Sequence, residues 1–305
     1  MDDIIVVQNL VKDYGNQKGV FNLNFRIKKG EVVGFVGVNG AGKTTTIRNI
    51  MGFIKPDEGK ILVKGLDSYF DSDKIKNYIG YVPGEIAFPD FKTGKEFLLF
   101  QSKMQGLNDL DYANVLMEKL QLDCTANLKR MSKGMKQKTA IVAALMNNPE
   151  ILILDEPTTG LDPLMRLSFL EIMEEEKKKG KTIFISSHLY EELERICDRV
   201  ILIDEGKILD IANMKLIRNR SVQSFKIEFN NKSDYKKFGK MGYEITRIQD
   251  KFNQITINVK KNKIQELFND LSIFDVKFIA EVNYSLEKYF DSMIKEDNYD
   301  KQSFI

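Results

Sequence analysis

The chain has 305 residues, of which 46 are Lys or Arg and 44 are Asp or Glu, for a net charge of +2. At about 150 residues per domain the length predicts roughly two domains, and the charge balance excludes a chain-wide nucleic-acid or membrane-surface binder. Hydrophobic residues make up 43% of the chain, too many for a disordered protein, and no apolar run approaches the ~20 residues that a membrane span needs.

The acidic start MDDIIVVQNL lacks the basic and apolar regions of a secretory signal. Residues 4–10, 19–27 and 31–36 read as strands rich in β-branched and aromatic residues, with a Lys28-Lys29-Gly30 turn between the last two. Residues 32–36 are apolar at nearly every position, as expected of a strand in the middle of a sheet. A glycine-rich loop and a helix over about 44–51 follow. Residues 60–63 and 79–82 predict further short strands. Between about 93 and 145 the apolar spacing is helical. Residues 151–154 form another all-apolar strand, 163–179 a helix stopped by Gly180, and 182–186 and 200–204 two strands flanking a helix over 189–197. Asp204-Glu205-Gly206 predicts a hairpin turn into a strand over 207–210.

Past about residue 220 the pattern changes. Strands are expected over 225–229, 243–248, 252–259 and 276–282, and helices over 234–240, 263–271 and 285–294. The order β-α-β-β-α-β suggests a small ferredoxin-like domain. Cys124 and Cys197 are far from each other and from the single histidine, which predicts reduced, inert thiols rather than a zinc site.

Three clusters carry chemistry. Gly37-Val38-Asn39-Gly40-Ala41-Gly42-Lys43-Thr44 fits GxxxxGK[ST] between a buried strand and a helix, the context in which backbone N–H groups cradle a phosphate. Lys43 is then placed to reach the β- and γ-phosphates and Thr44 to ligate Mg²⁺, with Thr45 following in the same helix. Asp155-Glu156 ends the apolar strand over 151–154. Two acids there are costly unless a cation waits for them. Asp155 suits the Mg²⁺ shell and Glu156 a general base that polarises the attacking water. His188, the only histidine, follows a strand at the sheet's C-terminal edge, where open α/β sheets bind ligands. It is a candidate sensor of the γ-phosphate.

In this order the elements resemble the ATP-binding subunit of an ABC transporter, over about residues 4–217, and within that family the drug- and peptide-export (ABC-2 type) branch. The resemblance implies a P-loop α/β core with an antiparallel β subdomain and a helical subdomain at about 93–145. The C-terminal α+β domain over 221–305 lies outside it. The resemblance identifies Met131-Ser132-Lys133-Gly134-Met135-Lys136-Gln137 with the family's signature, in which Ser132 and Gly134 approach the γ-phosphate of a partner's ATP. It assigns Tyr14 to stacking on adenine, Asp162 to the dimer seam and His188 to the switch histidine. Two departures stand out. Lys133 and Met135 replace the usual glycine and glutamine of the signature, and Gly84-Glu85 stands where a glutamine is expected to approach the metal. Glu85 is the candidate substitute. The resemblance further implies ATP and Mg²⁺ as cofactors and a homodimer, or a dimer with a paralogous ATPase subunit. It also implies an integral membrane permease as partner, no nucleic acid, and a cytoplasmic location on the inner face of the cell membrane.

Phe97 and Phe100 are expected in the helical subdomain's core, and Phe88 and Phe91 in a groove for the permease. The alternative function is a soluble regulatory, ribosome- or DNA-acting ABC ATPase. Its usual tandem modules or long coiled coil are not visible in this sequence. The C-terminal segment carries no catalytic constellation and reads as a dimer-stabilising or regulatory module.

Overall fold

The computed structural model describes residues 3–218, 221–282 and 285–291. The chain divides into two compact units, Met1–Met214 and Lys215–Ile305.

The first unit is built on two sheets. β1 (Asp3–Asp13), β2 (Gly19–Lys28), β4 (Glu58–Val63) and β5 (Leu66–Asp67) form an antiparallel sheet in the order β2-β1-β4-β5. The second sheet contains β3 (Val32–Val36), β6 (Ile79–Val82), β7 (Ile151–Asp155), β8 (Thr182–Ser187), β9 (Arg199–Asp204) and β10 (Lys207–Asn213). Its order is β10-β9-β3-β8-β7-β6, parallel except for the β9–β10 hairpin. Every residue of β3, β7 and β8 is buried, which is why residues 32–36, 151–154 and 183–185 read as continuous apolar runs rather than alternating ones. Phe25 of the first sheet stacks on Phe184 of the second with centroids 5.8 Å apart, and Phe35 packs beside them. The two sheets thus share one core.

The helices of this unit are α1 (Lys43–Ile50), α2 (Ser72–Lys76), α3 (Gly94–Met104), α4 (Asp111–Lys119), α5 (Lys133–Leu145), α6 (Pro163–Lys178) and α7 (Tyr190–Ile196). The helical stretch expected over 93–145 is therefore three helices. Thr93 caps the first by accepting from Glu96 N–H, and Ser132 caps the last by accepting from Met135 N–H at 3.2 Å. α4 is tied to α6 by the Tyr112 hydroxyl, 2.5 Å from Glu176 Oε1, and by Lys119 on Glu175 at 2.5 Å. Glu176 is fully buried and also meets Lys179 at 2.6 Å and Lys181 at 2.8 Å. Burial pushes its pKa up, but the hydrogen bonds from Lys179, Lys181 and Tyr112 outweigh that and hold it below the ordinary carboxylate value. Burial, together with this carboxylate, pushes Tyr112 up to about 12.

A groove of about 710 Å³ between the parallel sheet and the helical subdomain is lined by Phe53, Tyr81, Phe88, Phe97, Met104 and Ala144 among others. Phe97 is buried, as expected. Phe100 is not: it is 42% exposed, and its ring lies tilted against Phe91 with centroids 5.1 Å apart. It lies two residues from both Leu98 and Ser102, buried positions of α3, which turns it about 160° away from each.

α8 (Met214–Arg218) starts on the last residue of the first unit and leads into the second. The elements β11 (Val222–Phe229), α9 (Lys232–Phe238), β12 (Glu244–Gln249), β13 (Gln254–Lys260), α10 (Ile264–Leu271) and β14 (Val276–Val282) follow. The sheet order β12-β13-β11-β14 is fully antiparallel, the arrangement of a split βαβ ferredoxin-like unit. Phe225, Ile227 and Phe229 alternate inward and pack with Ile255, Ile257, Phe238 and Leu267. Of the last expected helix, residues 286–291 are helical and 292–294 lie outside the described residues.

Candidate ATP site

β3 runs into the loop over 37–42, and α1 begins at Lys43 with Gly42 as its cap at φ 109°. That backbone is left-handed and suits glycine. Gly37 is constrained by space: a Cβ there would lie 2.2 Å from the Ile203 carbonyl oxygen. Asn39 and Gly40 are exposed, whereas Ala41 is buried under the loop. Thr45 turns its carbonyl to Asn49 Nδ2 at 2.8 Å. Lys43 is 7% exposed, and its ammonium donates to the Gly37 and Val38 carbonyls at 2.7 and 3.2 Å. The loop thus curls around the lysine head at a helix N-terminus, which is the geometry of an anion cradle.

The strand ends converge on this cradle. Asp155 at the end of β7 is fully buried, and both of its carboxylate oxygens are engaged. Oδ2 accepts from the Thr44 hydroxyl at 2.7 Å and Oδ1 from the Ser186 hydroxyl at 2.6 Å. Glu156 follows at φ 48°, in the left-handed region, and its N–H donates to Ser186 Oγ at 3.0 Å. Glu156 Oε1 lies 3.4 Å from Lys43 Nζ, and Oε2 lies 2.6 Å from His188 Nδ1. Lys43, Thr44, Asp155, Glu156 and His188 therefore form one connected group, although they come from three separate stretches of chain.

Other expected residues lie elsewhere. Ser132 caps α5, and Gly134 in its first turn lies against the Gly160 carbonyl. Asp162 caps α6, accepting from Met165 N–H at 3.0 Å. Tyr14 follows β1, is 56% exposed and has Lys12 Nζ over its ring at 5.8 Å. Gly84 abuts Asp155: a Cβ there would lie 3.1 Å from Oδ2. Glu85, one residue on, is exposed and makes no hydrogen bond or ion pair among the described residues. Sequence reasoning missed Ser186 and Ser187, which it read only as the approach to His188. It also missed Thr158 and Glu192, whose buried side chains meet behind the group.

A family model described as ABC transporter matches residues 20–159. The bacitracin transport ATP-binding protein BcrA of Bacillus licheniformis is 36% identical over 303 residues, which cover 96% of this chain and 98% of that protein. The chain belongs to the ABC transporter family, as an ATP-binding subunit. The linearmycin resistance ATP-binding protein LnrL of Bacillus subtilis (strain 168) is 39% identical over 68% of this chain and 69% of its own length. A solved ATP-binding subunit of an ABC transporter superposes with a TM-score of 0.65 at 28% identity, covering 88% of this chain and 99% of that one. Membership makes the chain an ABC ATPase that binds and hydrolyses ATP, and the resemblance expected from the motifs is thereby established. Among the described residues no helix of this ABC subunit is long and apolar enough to cross a membrane.

Proposed function

We propose that this chain powers export of a peptide antibiotic or another lipophilic compound through a separate membrane permease. In this reading two copies, or one copy and a paralogous ATPase subunit, pack head to tail on the inner face of the cell membrane. ATP lies between residues 37–45 of one subunit and Ser132 and Gly134 of the other, with Tyr14 against the adenine and Asp162 at the seam. The observation that carries the proposal is the match to a bacitracin transport ATP-binding protein over 96% of this chain, too long to stop at the ATPase core and so reaching well into the segment 221–305. That segment is assigned here as an accessory domain of the subunit. The groove lined by Phe53, Phe88 and Phe97 together with Lys76, Gln101 and Gln105 suits an amphipathic helix of the permease.

Each side chain has a physical role. Lys43, held at the mouth of the cradle, exchanges its carbonyl partners for β- and γ-phosphate oxygens. Glu156 accepts the proton of the attacking water, and its contact with His188 fixes the carboxylate's orientation. His188 meets Glu156 through Nδ1, which leaves its other ring nitrogen, Nε2, to hydrogen-bond a γ-phosphate oxygen. The donors at Thr44 and Asp155 are a hydroxyl and a carboxylate, hard oxygens of the kind that Mg²⁺ takes together with phosphates and water. Bound there, Mg²⁺ would neutralise charge developing on the phosphate oxygens.

The test uses the Glu156→Gln variant, which removes the base and keeps the shape. Hydrolysis should fall by about 10²-fold or more, and ATP should convert the 35.2 kDa chain into a stable dimer on gel filtration. Mild-detergent purification from native membranes should then recover one multi-span protein in comparable amount. Recovery of ribosomal or DNA-associated proteins without a membrane protein would overturn the transport reading.

A further inference from the structure

Glu192 is a buried carboxylate that the chemistry above does not use. It sits on α7 at 5% exposure. Its Oε2 accepts two hydrogen bonds, from Thr158 Oγ1 at 2.9 Å and from Ser187 Oγ at 3.1 Å. Its Oε1 is sealed from solvent and has no hydrogen-bond partner among the described residues. Burial pushes its pKa up against the pull of the two hydroxyls and of the charges on Arg166 and His188. A carboxyl group kept in the interior with half its capacity unmet is costly to the fold.

The positions of its two partners explain its presence. Thr158 stands two residues after Glu156, and Ser187 stands immediately before His188. Thr158 and Ser187 are themselves 3% and 1% exposed. The Ser187 hydroxyl also accepts from Leu189 N–H at 3.0 Å, so it brackets His188 from both sides. On the other side, the Thr158 carbonyl accepts from Leu161 N–H at 3.1 Å, carrying the brace into the loop that ends at Asp162. One carboxylate oxygen thus ties together the two backbone segments whose side chains meet 2.6 Å apart at Glu156 and His188.

We propose that Glu192 is a positioning residue for ATP hydrolysis, which sets the Glu156–His188 separation by accepting from Thr158 and Ser187 at once. The inference rests on the assignment of Glu156 and His188 to the hydrolytic step. It places no group of Glu192 on the nucleotide, so its loss acts on turnover rather than on binding.

The experiment measures ATPase kcat and KM, nucleotide affinity and the thermal midpoint for the full chain and for Glu192→Ala, Glu192→Gln, Thr158→Val and Ser187→Ala. Glu156→Gln and His188→Ala run beside them. Glu192→Ala should lower kcat about tenfold with KM and nucleotide affinity within about twofold, because a small displacement of reacting groups costs rate rather than binding. Glu192→Gln keeps an acceptor oxygen and should retain at least about a third of the parental kcat. Adding Thr158→Val to Glu192→Ala should cost nothing further. If Glu192→Ala does not fold, Thr158→Val and Ser187→Ala decide the matter, and each should lower kcat without raising KM. A kcat within about twofold of the parent in folded Glu192→Ala would overturn the inference. So would equal damage by Gln and Ala. Full activity in Glu156→Gln and His188→Ala would instead sink the hydrolytic assignment and this inference with it.

Discussion

Gly134 lies so close to Gly160 that a Cβ on the former would sit 2.7 Å from the latter's carbonyl oxygen. The first turn of α5 and the loop preceding α6 are therefore in backbone contact within one chain. Ser132 and Asp162 cap those two helices, so both proposed dimer-facing residues belong to one packed unit. Gly134→Ala must push that contact apart. ATPase turnover should fall about tenfold or more while nucleotide binding to the phosphate loop stays within about twofold. Steady-state kinetics beside a fluorescent-nucleotide titration checks this.

Gly84 presses in a similar way on the carboxylate of Asp155, the proposed metal ligand. Its missing Cβ would lie 3.1 Å from Asp155 Oδ2 and 3.3 Å from Cγ. Gly84→Ala should displace the carboxylate by a few tenths of an ångström. ATPase activity at limiting Mg²⁺ should drop several-fold and recover in part at high Mg²⁺, by analogy with the loss about metal ligands when their supports are altered. A titration of activity against Mg²⁺ at saturating ATP reads the shift.

Glu176 predicts a pH signature in stability. Its folded pKa lies below the ordinary carboxylate value, so the folded state binds its proton less tightly than the unfolded one. The stabilisation is present above the unfolded carboxylate range and is lost as pH falls through the folded value. Glu176→Gln leaves Lys181, 7% exposed, without its counter-ion. At pH 7 it should cost about 3 kcal/mol, and the difference from the parent should shrink near pH 4. Denaturant unfolding at the two pH values measures it.

The phosphate loop and the apolar strands over 32–36 and 151–154 were legible in the sequence because each is a contiguous pattern with a fixed chemical need. The C-terminal order of strands and helices was legible for the same reason: Phe225, Ile227 and Phe229 declare a half-buried strand by alternation alone. The brace behind the site was not. Ser186, Ser187, Thr158 and Glu192 are common residue types, and their hydrogen bonds span 31 residues from Ser186 to Asp155 and 34 from Thr158 to Glu192. Only the parallel pairing of β7 with β8 brings them together. Phe100 misled for a local reason, since membership of an aromatic cluster does not say which side of a helix faces inward.

The positive φ of Glu156 has a consequence for how the molecule ages under mutation. A side chain in the left-handed region costs of the order of 1 kcal/mol, and glycine would relieve it. With Glu156 as the proposed base, drift towards a sturdier protein at this position would run towards an inert one. On that proposal it is selection for turnover, and not for persistence in the cell, that keeps a carboxylate at residue 156.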